Sequence, residues 1–147
     1  MRKILSVLLS VMLLTLCTVP CFADSMTIST GTDSDKWTLS YPADTEIPWE
    51  SASASLGAVE AVEMLLSPGK TVTVTVASAN GYQLAHTTDA NSAIAYTLHG
   101  AETIAFLPGD WGKTFPLSVT VEKSQWQKAA AGEHKDLLTF TAEYKDA

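Results

Sequence analysis

Three histidines, His86, His99 and His134, have the widest chemical repertoire of any side chains in this 147-residue chain. An imidazole acts as a general base or as a metal ligand, and zinc sites commonly take two ligands from one short motif. No two of these histidines have such a spacing. The sequence therefore predicts structural or solvent-exposed histidines, with no metal site and no cofactor.

Two pairs of carboxylates lie close together in the sequence. Asp33 and Asp35 form an Asp-x-Asp pair, but the central glycine and terminal glutamate of a calcium loop are missing, which favours a solvated acidic loop. Glu60 and Glu63 could in principle cleave a glycoside as acid and base. Alternation along a β-strand would place them on opposite faces, so neither pair predicts a site.

Nucleophilic and phosphate-binding motifs are also missing. The serines do not form a Gly-x-Ser-x-Gly elbow. Gly109 and Gly112 flank Trp111, but no Lys-Ser or Lys-Thr follows in register. No catalytic residue is predicted, and an unfamiliar hydrolase using Glu60 and His86 ranks behind every non-catalytic interpretation.

Four tryptophans carry more information. Trp37 alternates within a strand pattern, which predicts a core position. Trp49, Trp111 and Trp126 fall in loops or at strand ends, where an indole either stacks on a sugar ring or plugs the end of a sandwich. The plug is favoured for Trp126, whereas both roles stay open for Trp111. These three are the candidate ligand-binding residues.

The N-terminal residues have the pattern of a secretory signal peptide. Arg2 and Lys3 precede the uncharged apolar run Ile4–Leu16, which is too short to span a membrane, and cleavage is predicted after Ala23. A lipoprotein signal at Cys17 is disfavoured, because a leucine stands where such signals have a small residue. The predicted organisation is a signal peptide, 1–23, followed by one domain, 24–147, that is secreted or displayed at the cell surface.

Removal of the signal changes the composition. The remaining 124 residues suit one domain and have no cysteine. They carry seven lysines and no arginine against sixteen acidic residues, a formal charge of −9. Such a surface repels phosphate backbones and anionic bilayers, so neither nucleic-acid binding nor membrane insertion of the mature chain is predicted.

Alternation of apolar and hydroxyl residues predicts the elements that must position these side chains. Asn80-Gly81 predicts a two-residue hairpin turn. Pro108–Lys113 is predicted to be a loop. The predicted strands are Met26–Thr30, Trp37–Tyr41, Lys70–Ser78, Tyr82–His86, Ile94–His99, Thr103–Leu107, Phe115–Glu122 and Leu138–Tyr144.

The segment Leu56–Leu66 is ambiguous. Glu60, Glu63 and Ser67 recur at helical spacing, whereas a strand would place Val62 and Met64, with Ala58 and Leu66, on one face. The strand is favoured because a turn leads directly into the next strand. Regular turns without a long helical pattern predict an all-β fold: a single immunoglobulin-like antiparallel β-sandwich of about seven to nine strands.

The stretch from Trp126 to Tyr144 resembles the last strand of bacterial surface and pilus-type immunoglobulin-like subunits, including the spore coat protein U group. Gly132 and Tyr144 match the glycine and the near-terminal tyrosine of that pattern. The chain departs from it at His134, where the family has an aromatic residue, and in lacking the usual disulfide. The resemblance implies assembly by strand exchange, with Asp24–Thr30 as the donor.

The edge that receives the donor would be Val72–Val76 or Leu138–Tyr144, unless Met26–Thr30 completes its own sheet. The leading hypothesis is a secreted, non-catalytic structural or adhesive module of a bacterial surface. Its expected partners are other copies of itself or another surface protein. The alternative is a carbohydrate-binding module that contacts glycans through its loop tryptophans.

Overall fold

The computed structural model describes residues 35–147, which form ten β-strands and one short helix. The predicted signal peptide, the predicted strand Met26–Thr30 and Asp33 lie outside the described residues. The elements are β1 (Lys36–Ser40), β2 (Ser53–Leu65), β3 (Lys70–Ser78), β4 (Gln83–His86), β5 (Ala93–Ala95), β6 (Thr97–His99), β7 (Ile104–Phe106), β8 (Thr114–Thr120), α1 (Lys123–Trp126), β9 (His134–Lys135) and β10 (Leu138–Asp146).

The strands form three antiparallel sheets. The first sheet has the order β1-β2-β8-β6, the second β10-β3-β7, and the third β5-β4-β9. The first two sheets bury side chains against each other in one core. That core contains Val59, Ala61, Met64 and Leu117 from the first sheet and Val72, Val74, Ile104 and Phe106 from the second. The predicted all-β sandwich is confirmed.

The central strand of the second sheet is β3, which has the predicted bounds. Its alternating valines point into the core, where Val72 and Val74 are buried. β10 pairs with it along its whole length, from Leu138 opposite Ser78 to Asp146 opposite Lys70. Thr71 is buried on the other face, and its hydroxyl donates a hydrogen bond to a backbone carbonyl, which offsets the cost of burial.

The long strand β2 confirms a strand in the ambiguous segment, but the predicted inward face holds only after Val62, where Met64 and Leu66 are buried. Before that point Val59 and Ala61 are buried instead of Ala58, and Val62 is exposed. The reason is a bulge against β1, where Val62 is an extra residue without a partner. A bulge shifts the side-chain alternation by one position and so changes which residues face the core.

The same bulge changes the relation of the two glutamates. An extra residue between Glu60 and Glu63 brings positions three apart onto the same side of the strand. The expectation of opposite faces is therefore wrong. Glu60 is exposed, and Glu63 is half-buried opposite Thr38 of β1.

Within residues 35–147, β1 is one of the two outer strands of the first sheet. Trp37, which was predicted in the core, is opposite Met64 but keeps 36% of its surface exposed. An outer strand has no neighbour on one flank, so a large ring there is only partly covered.

The predicted hairpin at Asn80-Gly81 is wrong, because β3 and β4 belong to different sheets. Gly81 and Tyr82 both have positive φ, at 65° and 61°. The Ser78 hydroxyl oxygen accepts the backbone N–H of Asn80 at 3.1 Å and of Tyr82 at 2.6 Å. This side chain directs the strand end out of the second sheet and into the third.

The predicted strand Ile94–His99 is divided at Tyr96. β5 pairs with β4 in the third sheet, and β6 pairs with β8 in the first. The Tyr96 N–H donates to the Tyr82 carbonyl at 3.1 Å, outside either ladder. The chain thus changes sheets within a single residue.

Asp136 joins these two crossing points. One carboxylate oxygen accepts the hydroxyls of Ser78 at 2.6 Å and Tyr96 at 2.5 Å. The other accepts the N–H of Asn80 at 3.1 Å and of Leu137 at 2.8 Å. Partial burial would raise the pKa of Asp136, but these four hydrogen bonds outweigh burial and hold its pKa below the usual value. Burial and the bond to Asp136 raise the pKa of the Tyr96 hydroxyl.

A helix long and apolar enough to cross a membrane does not occur among residues 35–147.

Asp136→Asn is expected to lower the free energy of unfolding by about 1–3 kcal/mol, because an amide has a single accepting oxygen and its NH2 group cannot accept the other two hydrogen bonds, whichever way the amide is turned. Urea denaturation measures the loss. Asp146→Asn is the control: its exposed carboxylate pairs with Lys70 in water, so its loss should change the stability little.

The stability lost in the Asp136→Asn variant should depend on pH. The lowered pKa of Asp136 means that its contribution is present above the unfolded value of about 3.9 and disappears as pH falls through the folded pKa. The difference between the wild type and Asp136→Asn should therefore shrink between pH 6 and pH 3. A difference that is constant over this range would contradict an ionised Asp136 in the network.

Candidate functional site

Trp111 is a large aromatic side chain held in a fixed position on the surface. It lies in the loop between β7 and β8, and 58% of its surface is exposed. Its indole Nε1–H donates a hydrogen bond to the Met64 carbonyl at 2.8 Å, at the end of β2. One edge of the ring is therefore anchored, and the rest is open to a partner.

The loop around Trp111 is held by further hydrogen bonds. The Asp110 carboxylate accepts the Leu107 N–H and the Lys113 ammonium, both at 2.8 Å. Burial opposes ionisation, but these two donors outweigh it and lower the pKa of Asp110. The Gly112 N–H donates to the Ala61 carbonyl at 2.8 Å. Because these bonds already order the loop, it would lose little conformational entropy on binding a ligand, and this favours affinity.

The other two candidate tryptophans lie together, away from Trp111. The rings of Trp49 and Trp126 pack 5.1 Å apart, and the Trp126 indole donates to the Ser51 carbonyl at 3.0 Å. Trp126 is 5% exposed and fills the core next to β8, as the plug interpretation predicted, whereas Trp49 is 55% exposed. Ser51 precedes the start of β2 and Met64 is near its end, so the three indoles do not form one surface.

His86 and His134 meet in the structure, although the sequence did not predict it. They are opposite each other in the pairing of β4 with β9, and their rings pack edge-to-face at 4.7 Å. The residues are distant in the sequence and join only through the third sheet. No local spacing could have indicated this contact.

All four ring nitrogens of this pair have protein partners. His86 Nδ1 accepts the N–H of Thr88 at 3.1 Å and of Asp89 at 2.9 Å, and its Nε2 is 3.1 Å from the Ala131 carbonyl. His134 Nδ1 is 3.1 Å from the Gly132 carbonyl, and its Nε2 is 3.1 Å from the Ser92 hydroxyl. Because His86 Nδ1 accepts two N–H groups, its Nε2 is the nitrogen that donates to the Ala131 carbonyl. Within residues 35–147, no cluster of three metal-ligating side chains occurs.

The contact between Ser92 and His134 resembles a nucleophile with its base, but its surroundings are structural. Ser92 is buried, and its hydroxyl oxygen also accepts the Ala130 N–H at 2.9 Å. The two bonds tie the loop after α1 to the third sheet. Glu60 and His86, the residues considered for a hydrolase, lie in the first and third sheets.

A cavity of about 170 Å³ lies between the sheets under residues 42–47. Its polar groups include the Asp136 carboxylate and the Tyr96 hydroxyl, and its walls include Leu56, Val119 and Phe140. Both oxygens of Asp136 already accept two hydrogen bonds each from the protein. The carboxylate therefore stabilises the fold and has little capacity left for a ligand.

The outer edge of β10 is a second candidate site. The Ala79 N–H donates to the Leu137 carbonyl, and the Ala147 N–H donates to the Gly69 carbonyl, so the odd-numbered residues bond toward β3. The N–H and C=O groups of the even-numbered residues, Leu138 to Tyr144, therefore point away from the sheet. In the part of the chain that the structure describes, β10 has no strand neighbour on that side.

The other predicted acceptor edge, Val72–Val76, is wrong for most of its length. β3 lies between β10 and β7, and Val72–Val74 pair on both sides. The alternation of β3 indicates a strand but does not show whether the strand is central or at an edge.

Side chains next to β1 reach β10 without pairing to it. The Tyr41 ring packs 5.3 Å from the Phe140 ring, and the Tyr144 hydroxyl donates to the Asp35 carboxylate. Asp35 also accepts the N–H and the hydroxyl of Ser67, at 2.9 and 2.6 Å. The outer strands of the first two sheets are thus held side by side through side chains.

No protein-family model matches the sequence, and no curated protein is significantly similar to it.

Gly132→Ala is expected to lower the free energy of unfolding by about 2–4 kcal/mol. A Cβ at position 132 would lie 2.3 Å from His86 Nε2, and the φ of 139° is strained for any other residue. Chemical denaturation measures the stability, and the NMR signals of the two imidazoles should shift.

Gly109→Ala is the matched control, because Gly109 has a φ of 87° but no atom within 4 Å of its added Cβ. The Gly109→Ala variant therefore introduces the backbone strain of a positive φ without a steric clash of the new Cβ. If the two variants lost equal stability, the contact between Gly132 and His86 would not be what requires glycine.

Proposed function

We propose that this chain is a secreted, non-catalytic module of a bacterial surface, structural or adhesive in role, which assembles with itself or with another surface protein by strand exchange. The observation that carries the proposal is the outer edge of β10. It is nine residues long, and its outward backbone groups have no strand neighbour among residues 35–147.

An added strand would find both backbone and side-chain partners on this edge. The backbone groups of Leu138, Phe140 and Ala142 supply main-chain hydrogen bonds in the pattern of β-augmentation. Proteins commonly protect exposed edges with charged residues. On β10, Glu143, Lys145 and Asp146 protect only the second half, whereas Leu138–Ala142 carries no charge.

The donor in this proposal is Asp24–Thr30, which lies outside the described residues. Its Met26-Thr27-Ile28-Ser29-Thr30 sequence alternates apolar and hydroxyl side chains, the pattern that suits one half-buried strand. The donor of one copy would pair with β10 of the next copy. Pairing of the donor with its own sheet is the competing outcome.

A non-catalytic role is supported by the way the reactive side chains are used. The Ser92 hydroxyl and the ring nitrogens of His86 and His134 all have partners within the protein, and Ser92 is buried. A nucleophile needs access to its substrate and a base free to take a proton. This cluster supplies neither.

Ala142→Pro is expected to abolish assembly while leaving the monomer folded. The N–H of residue 142 points to the open side, so proline removes no bond to β3 and blocks an incoming strand. The full chain is expressed and recovered after export. Light scattering coupled to size exclusion over a wide concentration range measures its mass.

Thr141→Ala is the control, because it changes an exposed neighbouring side chain and leaves the outer N–H of residue 142 in place. It should assemble like the wild type. A strictly monomeric wild type, also after addition of a peptide of residues 24–30, would show that the edge does not mediate assembly.

A second candidate function is carbohydrate binding, which the exposed and anchored indole of Trp111 favours. Aromatic faces stack on the apolar faces of sugar rings, and this ring is already fixed by the Met64 carbonyl. Trp126 is too buried to contribute a ring face.

If this second function holds, Trp111→Ala should weaken glycan binding at least about tenfold, the equivalent of about 1.4 kcal/mol. A glycan array identifies ligands, and calorimetry measures the affinity. Leu137→Ala is the control, because Leu137 is a large exposed apolar side chain (67%) outside the loop of Trp111. An array without binding, or equal affinity in the Trp111 variant, would eliminate this function.

A further inference from the structure

A groove of about 340 Å³ lies between β6, the other outer strand of the first sheet, and Val76 of β3. Among the described residues, β7 pairs with β3 only over Val72–Val74, so in this part of the chain β3 continues to Ser78 without a strand on this side. Apart from Thr97 and the Glu102 carboxylate, the lining is aromatic and aliphatic, and it includes Val76, Tyr82, Tyr96, Leu98 and Ala101.

Tyr82 forms an aromatic wall that is fixed before any ligand binds. Its backbone has a φ of 61°, a strained conformation for a residue other than glycine. The Ser78 hydroxyl oxygen accepts its N–H, and Tyr96 donates to its carbonyl. Its own hydroxyl donates to the Val76 carbonyl at 3.2 Å. Strain of this kind persists where the surroundings enforce it, often at ligand clamps.

The ring of Tyr82 is also available for contact. It packs edge-to-face on Tyr96 with centroids 6.0 Å apart, and 38% of Tyr82 remains exposed. An aromatic face of this kind attracts a cation through its quadrupole.

Glu102 supplies the charge of the groove. One of its carboxylate oxygens accepts the Gly100 N–H at 3.0 Å. Within residues 35–147, Glu102 forms no salt bridge. The whole chain has a net charge of −7, so its electrostatic field also favours a cationic ligand.

We propose that this groove binds a lysine or arginine side chain of a partner polypeptide. The cationic group lies between the Glu102 carboxylate and the Tyr82 ring. The aliphatic stem lies along Val76, Leu98 and Ala101, in the way that long basic side chains cover apolar surfaces. The site is separate from the β10 edge and does not depend on strand exchange.

The test is an NMR titration of the exported protein with Nα-acetyl-lysine methylamide and with its uncharged analogue, Nα-acetyl-norleucine methylamide. The lysine compound should give saturable shifts at the amides of Tyr82, Leu98 and Glu102. The norleucine compound should bind at least about fivefold more weakly, and added salt should reduce the difference.

Glu102→Gln removes the charge but keeps an oxygen that can accept the Gly100 N–H. The Glu102→Gln variant should bind the lysine compound about fivefold or more weakly, and its affinity for the norleucine compound should be unchanged. Glu122→Gln is the matched control, because Glu122 is an exposed acid outside the groove and should have no effect.

Three results would overturn the proposal: no shifts with either compound, equal binding of both compounds, or unchanged lysine binding in Glu102→Gln. Shifts at the same amides caused by a neutral sugar, without any caused by lysine, would also overturn it and identify a glycan site instead. None of these results bears on assembly through β10, so the two proposals fail independently.

Discussion

The sandwich depends on the four hydrogen bonds that the Asp136 carboxylate accepts from Ser78, Asn80, Tyr96 and Leu137. Ser78 is the residue at which the chain leaves the second sheet, and Tyr96 is the residue at which it passes from the third sheet to the first. Each crossing leaves backbone and hydroxyl groups without a ladder partner, and a buried group left in that state would destabilise the fold. A single ionised side chain satisfies both crossings and the start of β10. Hydrogen bonds to a charged group are stronger than those between neutral groups, which suits a joint among three sheets.

This joint also explains why binding is expected at the margins of the protein rather than in its interior. The cavity beside Asp136 is small, and its carboxylate is already saturated. Within residues 35–147, the groups that remain open lie where strands end or have no strand neighbour. These are the outer backbone edge of β10, the anchored ring of Trp111, and the groove between Tyr82 and Glu102. Each of these groups is already ordered by hydrogen bonds within the protein. The protein would therefore lose little conformational entropy when a partner binds there.

The cluster of His86, His134 and Ser92 shows how residues with catalytic potential can be used for structure. Their side chains bridge β4, β9 and two loops, and every ring nitrogen is paired. The third sheet has only short strands, and its ladders alone contain few hydrogen bonds. The imidazoles supply further bonds to the loops, and Gly132 allows the close approach that this packing needs.

Local pattern in the sequence was enough to determine the all-β class and the position of most strands, because alternation reports directly on a half-buried strand. Lys70–Ser78 has the predicted bounds, and the ambiguous segment from Leu56 is a strand. Only the tertiary structure decided which strands are neighbours. The turn at Asn80-Gly81 joins two sheets instead of closing a hairpin, the strand through Tyr96 is divided between sheets, and a bulge at Val62 reverses the buried face. Sheet membership, register and edges depend on hydrogen bonds between residues far apart in the chain, and these are the features on which the candidate sites depend.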